Sequence, residues 1–131
     1  MAERRISEDL KELVRVLQRN ELLVDYFNLS LDLLAIGSTD GYFVVVNESW
    51  TRVLGWTAEE LTSHPYTYFV HPDDVPATDD ATEQLANAND ILDFSNRYRK
   101  KDGGYVRLSW RVKQMAEKGI VFGSARPVEE D

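Results

Sequence analysis

The sequence predicts an α+β domain built on an antiparallel sheet, and three observations carry that expectation. Residues 96–111, NRYRKKDGGYVRLSWR, place two alternating charged and aromatic runs around Asp102-Gly103-Gly104. Asp-Gly and Gly-Gly between alternating runs are the strongest short-range hairpin signals, because glycine reaches positive φ without a Cβ clash. Residues 31–46 repeat the arrangement, with a short apolar run, then Thr39-Asp40-Gly41, then a β-branched run. Between these pairs of strands lie short segments carrying helix caps, and such runs of strands and helices make an α+β domain.

The chain of 131 residues, 43% of them hydrophobic, is one domain with enough apolar surface for a core. It contains no cysteine, which excludes disulfides, thiolate metal sites and cysteine nucleophiles. No signal peptide and no run of membrane-spanning length is present, so a soluble cytoplasmic protein is expected. The net charge of −8 disfavours nucleic acid as a partner. That charge is unevenly spread: nine acids and no Lys or Arg lie between Arg52 and Arg97, whereas residues 97–113 hold seven basic groups against Asp102.

Taken in order, residues 7 to about 28 read as one helix. Ser7 caps it, Glu8 and Asp9 suit its positive end, and Ile6, Leu10, Leu13, Leu17, Asn20, Val24 and Phe27 step by four and three. That spacing fits a coiled-coil dimer seam with Asn20 fixing its register, and equally an amphipathic helix lying on its own domain, towards which Val14, Leu22 and Leu23 widen the stripe. The first hairpin follows. Asn47 closes it and can cap a helix over residues 48–54, with Gly55 in the left-handed position. Thr57-Ala58-Glu59-Glu60 is a capping box, with Trp56 placed to staple onto Leu61. Two X-Pro steps limit residues 64–74 to a single turn around Tyr68 and Phe69, and a longer helix runs from near Pro76 to about Ala88. In the main hairpin a three-residue loop with left-handed glycine aligns like faces, setting Tyr98 against Leu108, Asn96 against Trp110, Phe94 against Val112 and Asp93 against Lys113. Residues 119–125 form the last strand, and an acidic tail over residues 127–131 frays.

GYFVVVNESWTRVLGWTAEEL, then FVHPDD, then NRYRKKDGGYVRLSW resemble the successive motifs of a PAS domain. The resemblance covers roughly residues 30–126, leaving residues 1–29 as a helical extension. It implies a five-stranded antiparallel sheet crossed on one face by short helices that enclose a small cavity, with output passed through flanking helices to a partner domain. Where that family's last strand runs into Asp-Ile-Thr, this chain reads Pro127-Val128-Glu129, so the signalling helix is expected at the N-terminus. Amphipathy alone sends Leu108, Trp110 and Phe122 inward and leaves Arg97, Arg107 and Arg111 in water. The resemblance implies the reverse, with Arg97, Arg107, Ser109, Gly123 and Ala125 facing the cavity and the leading helix covering Trp110. On that preferred reading the two guanidinium groups need a carboxylate from the acidic helical half, or an anionic ligand.

A haem-binding member needs a histidine on the longer helix, and a photoactive flavin member needs a cysteine; this chain has neither, and non-covalent flavin contacts from Trp56, Trp110 and Asn96 stay open. His64 and His71 are expected to cap turns or face solvent. Asp73-Asp74 and Asp79-Asp80 are expected to cap and solvate rather than hold a metal, and no catalytic constellation is visible. The expected function is therefore a sensory and interaction domain, not an enzyme. It forms a homodimer through Leu10, Leu13, Leu17, Asn20, Val24 and Phe27, with Arg97, Arg107, Ser109 and Tyr68 as candidate ligand contacts. A ligand-free assembly module of a larger signalling protein is the alternative.

Overall fold

The computed structural model describes residues 6–88 and 92–128; the tail beyond Val128 lies outside them. Two helices open the chain, α1 (Glu8–Arg19) and α2 (Glu21–Leu29), where the spacing predicts one. The break is Asn20. Its backbone is extended, with φ −107° and ψ 101°, and its Oδ1 accepts from the Leu23 amide at 3.1 Å. An asparagine side chain competes for free helix amides, so Asn20 starts a second helix rather than completing a seam.

The rest follows the expected order, except that two 3-10 turns stand where a single turn is expected over residues 64–74. It comprises β1 (Leu33–Ser38), β2 (Phe43–Val46), α3 (Ser49–Leu54), α4 (Ala58–Ser63), 3-10 turns at Tyr66–Tyr68 and Pro72–Asp74, α5 (Val75–Ala88), β3 (Leu92–Arg99), β4 (Tyr105–Met115) and β5 (Ile120–Pro127). The five strands make one antiparallel sheet in the order β2-β1-β5-β4-β3. Among the described residues no helix is long and apolar enough to cross a membrane.

Both hairpins close with the same three-residue loop. Lys100 N–H donates to the Gly104 carbonyl at 2.7 Å and Gly103 N–H to Lys100 at 3.0 Å; Ser38 N–H and Gly41 N–H repeat this with Tyr42 and Ser38 at 3.0 and 3.2 Å. Gly103 and Gly41 hold φ of 99° and 91°, where a Cβ would be strained. The loop is Lys101-Asp102-Gly103, one residue earlier than the expected centre, which moves the register by two. Tyr98 therefore pairs with Val106, Asn96 with Leu108, Phe94 with Trp110 and Asp93 with Arg111. A slip of two leaves every side chain on its face, so the amphipathic reading of the ribbon survives.

Which face turns inward reverses the preferred expectation. Trp110, Leu108, Tyr98 and Ala125 are buried in one core with Trp50, Leu54, Trp56, Leu61 and Phe69 beneath the short helices. Gly123 makes room for Trp110: a Cβ there would come within 3.0 Å of the indole ring. Gly123 and Ala125 do face inward, as the resemblance implies, but Arg97, Arg107 and Ser109 lie on the outer face. Burying the apolar row desolvates one indole N–H, whereas the reverse would desolvate two cations. The leading helix does cover the outer face. Leu10 is completely buried against Ile36 and Ile120, with Leu13, Val14 and Leu17 packed around them, while Phe122 stays 36% exposed on that side.

Local capping largely agrees with the sequence. Thr57 and Glu60 form the reciprocal box, and Gly55 takes the left-handed position at φ 90°. Asn47 is the exception, because it does not cap α3. Its Oδ1 accepts from Leu34 N–H at 3.0 Å, and its Nδ2 donates to the carbonyls of Phe27 and Asp32, each at 2.9 Å. One buried amide thus ties the end of α2 to β1 and β2.

Candidate functional site: the cavity beneath α5

A cavity of ≈ 110 Å³ lies between the inner face of the sheet and α5. Ala35, Gly37, Phe94, Trp110, Val112 and Gly123 supply its sheet side, and Thr78, Thr82 and Leu85 of α5 lie across from them. Thr39, Gly41 and Tyr42 of the first hairpin loop, exposed or half-buried, form its rim. Small residues on two adjacent strands, β1 and β5, create the space, since alanine and glycine cannot reach the helix that the flanking aromatics support.

A chain of hydrogen bonds crosses the site. Trp110 Nε1 donates to Asn96 Oδ1 at 2.9 Å, Asn96 Nδ2 donates to Thr78 Oγ1 at 3.1 Å, and Thr78 Oγ1 donates to the Asp74 carbonyl at 2.8 Å. Because an indole only donates, the Asn96 amide has one orientation here. At the side, Tyr66 donates its hydroxyl to Asp79 at 2.7 Å, and burial beside that carboxylate pushes the phenol up to about 12. Burial also pushes the Tyr98 phenol upward, so it stays a neutral hydroxyl.

None of the four candidate ligand contacts lines this cavity. Arg97 and Arg107 are cross-strand partners on the outer face, and exposed Ser109 shares it. The carboxylate that the guanidinium requires comes from Asp74. Arg97 Nε and Nη2 donate to it at 3.0 and 2.8 Å, its backbone N–H adds a third bond at 2.8 Å, and Asp74 is held down at about 2 by these bonds. That backbone bond also satisfies an amide of β3, the sheet's edge strand. Arg107 Nη1 reaches Ser95 Oγ at 3.4 Å. Tyr68 is elsewhere, stacked on His64 at 4.0 Å with the Arg99 guanidinium 4.6 Å from its ring. His71 caps the Pro72–Asp74 turn, its Nδ1 accepting from Asp73 N–H. Trp56 donates to the Arg99 carbonyl away from the cavity, while Trp110 and Asn96 bond each other, so the trio does not converge on a flavin ring.

The dimer candidates divide similarly. Leu10, Leu13 and Leu17 pack on their own sheet, Asn20 is a cap, and Val24 and Phe27 are half-buried. Gln114 and Thr78 are the site residues that the sequence reading missed, whereas Asn96 and Trp110, named there as open ring contacts, do line the cavity. One signal was present for Gln114, which interrupts the inward row Leu108, Trp110, Val112 with a polar residue.

Comparisons with known proteins agree with this geometry. No curated protein matches the chain. Solved structures that it resembles include the PAS domain of an HTR-like protein from Haloarcula marismortui, with a TM-score of 0.72 at 16% identity over 91% of this chain and 99% of that one. A domain of a sensory box sensor histidine kinase/response regulator from Geobacter sulfurreducens matches with a TM-score of 0.67 at 15% identity, covering 89% of this chain and 93% of its own. A variant of Drosophila melanogaster Cycle PAS-B with bound glycerol matches with a TM-score of 0.67 at 17% identity, covering 73% and 99%. These likenesses share the fold. The family model described as PAS fold matches residues 43–122, from β2 into β5, and with that span of more than half its length the chain belongs to the PAS family.

Proposed function

We propose that this PAS domain is a sensor: a small molecule occupies the cavity beneath α5, and two copies pair through their N-terminal helices, whose arrangement carries the signal to an output partner. PAS domains are in general sensory and interaction modules of signal-transduction proteins rather than enzymes. The observation that carries the reading is the cavity itself. Interiors are close-packed, so a benzene-sized space rimmed by loop residues is a site to fill rather than a packing defect. The glycerol bound to Cycle PAS-B supports the same use of the fold.

Pairing rests on α2. Leu22, Tyr26 and Leu29 lie at i, i+4 and i+7 with exposures of 79, 77 and 78%, and Leu31 beyond them is 86% exposed. An apolar stripe of this kind is a liability in water unless another surface covers it. The proposed interface therefore shifts from the expected Leu10–Leu13–Leu17 seam to the exposed stripe of α2. The same stripe favours the second reading, an assembly module without a ligand.

Sedimentation of the whole chain beside a Leu22→Lys/Tyr26→Lys double variant tests the pairing, with a dimer expected for the first and a monomer for the second. Thermal melts against a panel of neutral metabolites separate the two readings, because a ligand at ~100 times its Kd adds about 2.7 kcal/mol. A chain that is monomeric at all concentrations and indifferent to the whole panel refutes both.

A further inference from the structure

The polar groups left over inside the cavity say what kind of molecule it takes. Gln114 is 8% exposed and lines the cavity in the row it shares with Val121 and Gly37, next to the rim. Among the described residues its side-chain amide has no hydrogen-bonding partner. The Tyr98 hydroxyl, against Trp50 and Trp110 further along the sheet, is likewise without one. Asn96 contrasts with both, bonded to Trp110 on one side and Thr78 on the other. Polar groups of buried residues are ordinarily satisfied, so two side chains whose polar atoms open onto one cavity mark where a guest's polar atoms go.

The walls set the guest's charge. No Asp, Glu, Lys, Arg or His is among the described residues that line the cavity. An ion entering it leaves water without meeting a counter-charge, which excludes the anionic ligand that the arginine clamp suggested. The size follows from the ≈ 110 Å³ of space, close to the roughly 150 Å³ of an apolar cavity that holds benzene.

We infer that the cavity selects a small uncharged ring compound bearing a hydroxyl or amide-type group, and that Gln114 is the residue that reads this group. A primary amide both donates and accepts, so it pairs with a hydroxyl in either sense. This assignment rests on the proposal that the cavity is the sensing site.

The test uses the whole chain with phenol, toluene and benzoate as probes at pH 7. Amide spectra follow the Gln114 side chain and the Trp110 indole N–H. Phenol is expected to shift both and to bind about tenfold tighter than toluene, the effect of one hydrogen bond in a dry site. Benzoate is expected to shift neither at ten times the phenol concentration. In Gln114→Met, or Gln114→Leu should the first fold poorly, the phenol-to-toluene ratio is expected to fall to about one with toluene affinity kept. Benzoate matching phenol at the same resonances overturns the uncharged class and leaves the sensing site standing. An unchanged ratio in a folded variant overturns the role of Gln114. If no probe moves a cavity resonance, the sensing site itself falls.

Discussion

Replacing Asp74 by Asn removes one charge while keeping the side chain's size and one acceptor for the Arg97 amide. Asp74 ordinarily titrates near 3.8 and is held at about 2 in the fold, chiefly by its hydrogen bonds from the Arg97 side chain. That difference corresponds to about 2.5 kcal/mol of preference for the ionised form. The carboxylate is 19% exposed and the guanidinium 32%, so solvent screens part of it and about 2 kcal/mol remains. For a domain of this size that lowers the melting temperature by roughly 6–8 °C. The sign with pH is fixed. Because the folded value is depressed, the contribution is fully present above pH 4 and disappears as pH falls towards 2. Urea titrations of both proteins between pH 7 and 2.5 isolate this group, since every other carboxylate is common to the pair. A stability difference that stays flat across that range, or is below about 0.5 kcal/mol at pH 7, refutes the argument that Asp74 ties the Pro72–Asp74 turn to Arg97 of β3.

Asn96→Leu strands the Trp110 indole N–H and takes from Thr78 Oγ1 the donor it accepts from, and is expected to cost about 1–3 kcal/mol in urea unfolding. Asn47→Ala removes three hydrogen bonds at once; a loss of about 2–4 kcal/mol and faster hydrogen exchange through α2 are expected, with unchanged exchange counting against the latch. Gly103→Ala meets no atom within 4 Å and pays only for its positive φ, about 1 kcal/mol. Gly37→Ala puts a Cβ 2.9 Å from the Tyr42 carbonyl and is expected to cost more, which paired thermal melts decide.

The fold was legible because its signals are local. Asp-Gly twice at the same point of a loop, a capping box at Thr57 and alternation along β4 each specify a conformation through the chemistry of a few neighbours. The errors arose where two distant segments decide. The hairpin register depends on which glycine takes the left-handed position, and Gly103 and Gly104 are equivalent in the sequence. The inward face depends on whether Trp110 or Arg97 finds a partner, and those partners, Asn96 with Gly123 and Asp74, are supplied by other strands and a turn. Asn20 satisfies the heptad spacing and the capping preference equally well; Leu10 reaching Ile36 and Ile120 settles the choice, a contact spanning most of the chain. Gln114 left a signal that went unread, a polar residue in an apolar row, as Asn96 is between Phe94 and Tyr98.

How occupancy of the proposed site reaches the helices follows from the alternation of β1. Ala35 and Gly37 line the cavity, and the residue just before them carries the latch: Leu34 donates to Asn47 through its N–H and accepts from Asn47 N–H and from Trp50 Nε1 through its carbonyl. The same Asn47 amide holds the Phe27 carbonyl of α2. A guest that displaces β1 towards the outer face therefore moves one strand with two consequences, because Ile36 beside these residues is the seat of Leu10 from α1. Neither helix can keep its place while β1 shifts, since the strand bears on α2 through a buried hydrogen bond and on α1 through close packing. A ligand biases that arrangement only by its difference in affinity for the two strand positions. A tight guest that fits both equally is silent, so in the proposed mechanism the signal depends on how the guest's contacts differ between the two strand positions rather than on affinity alone.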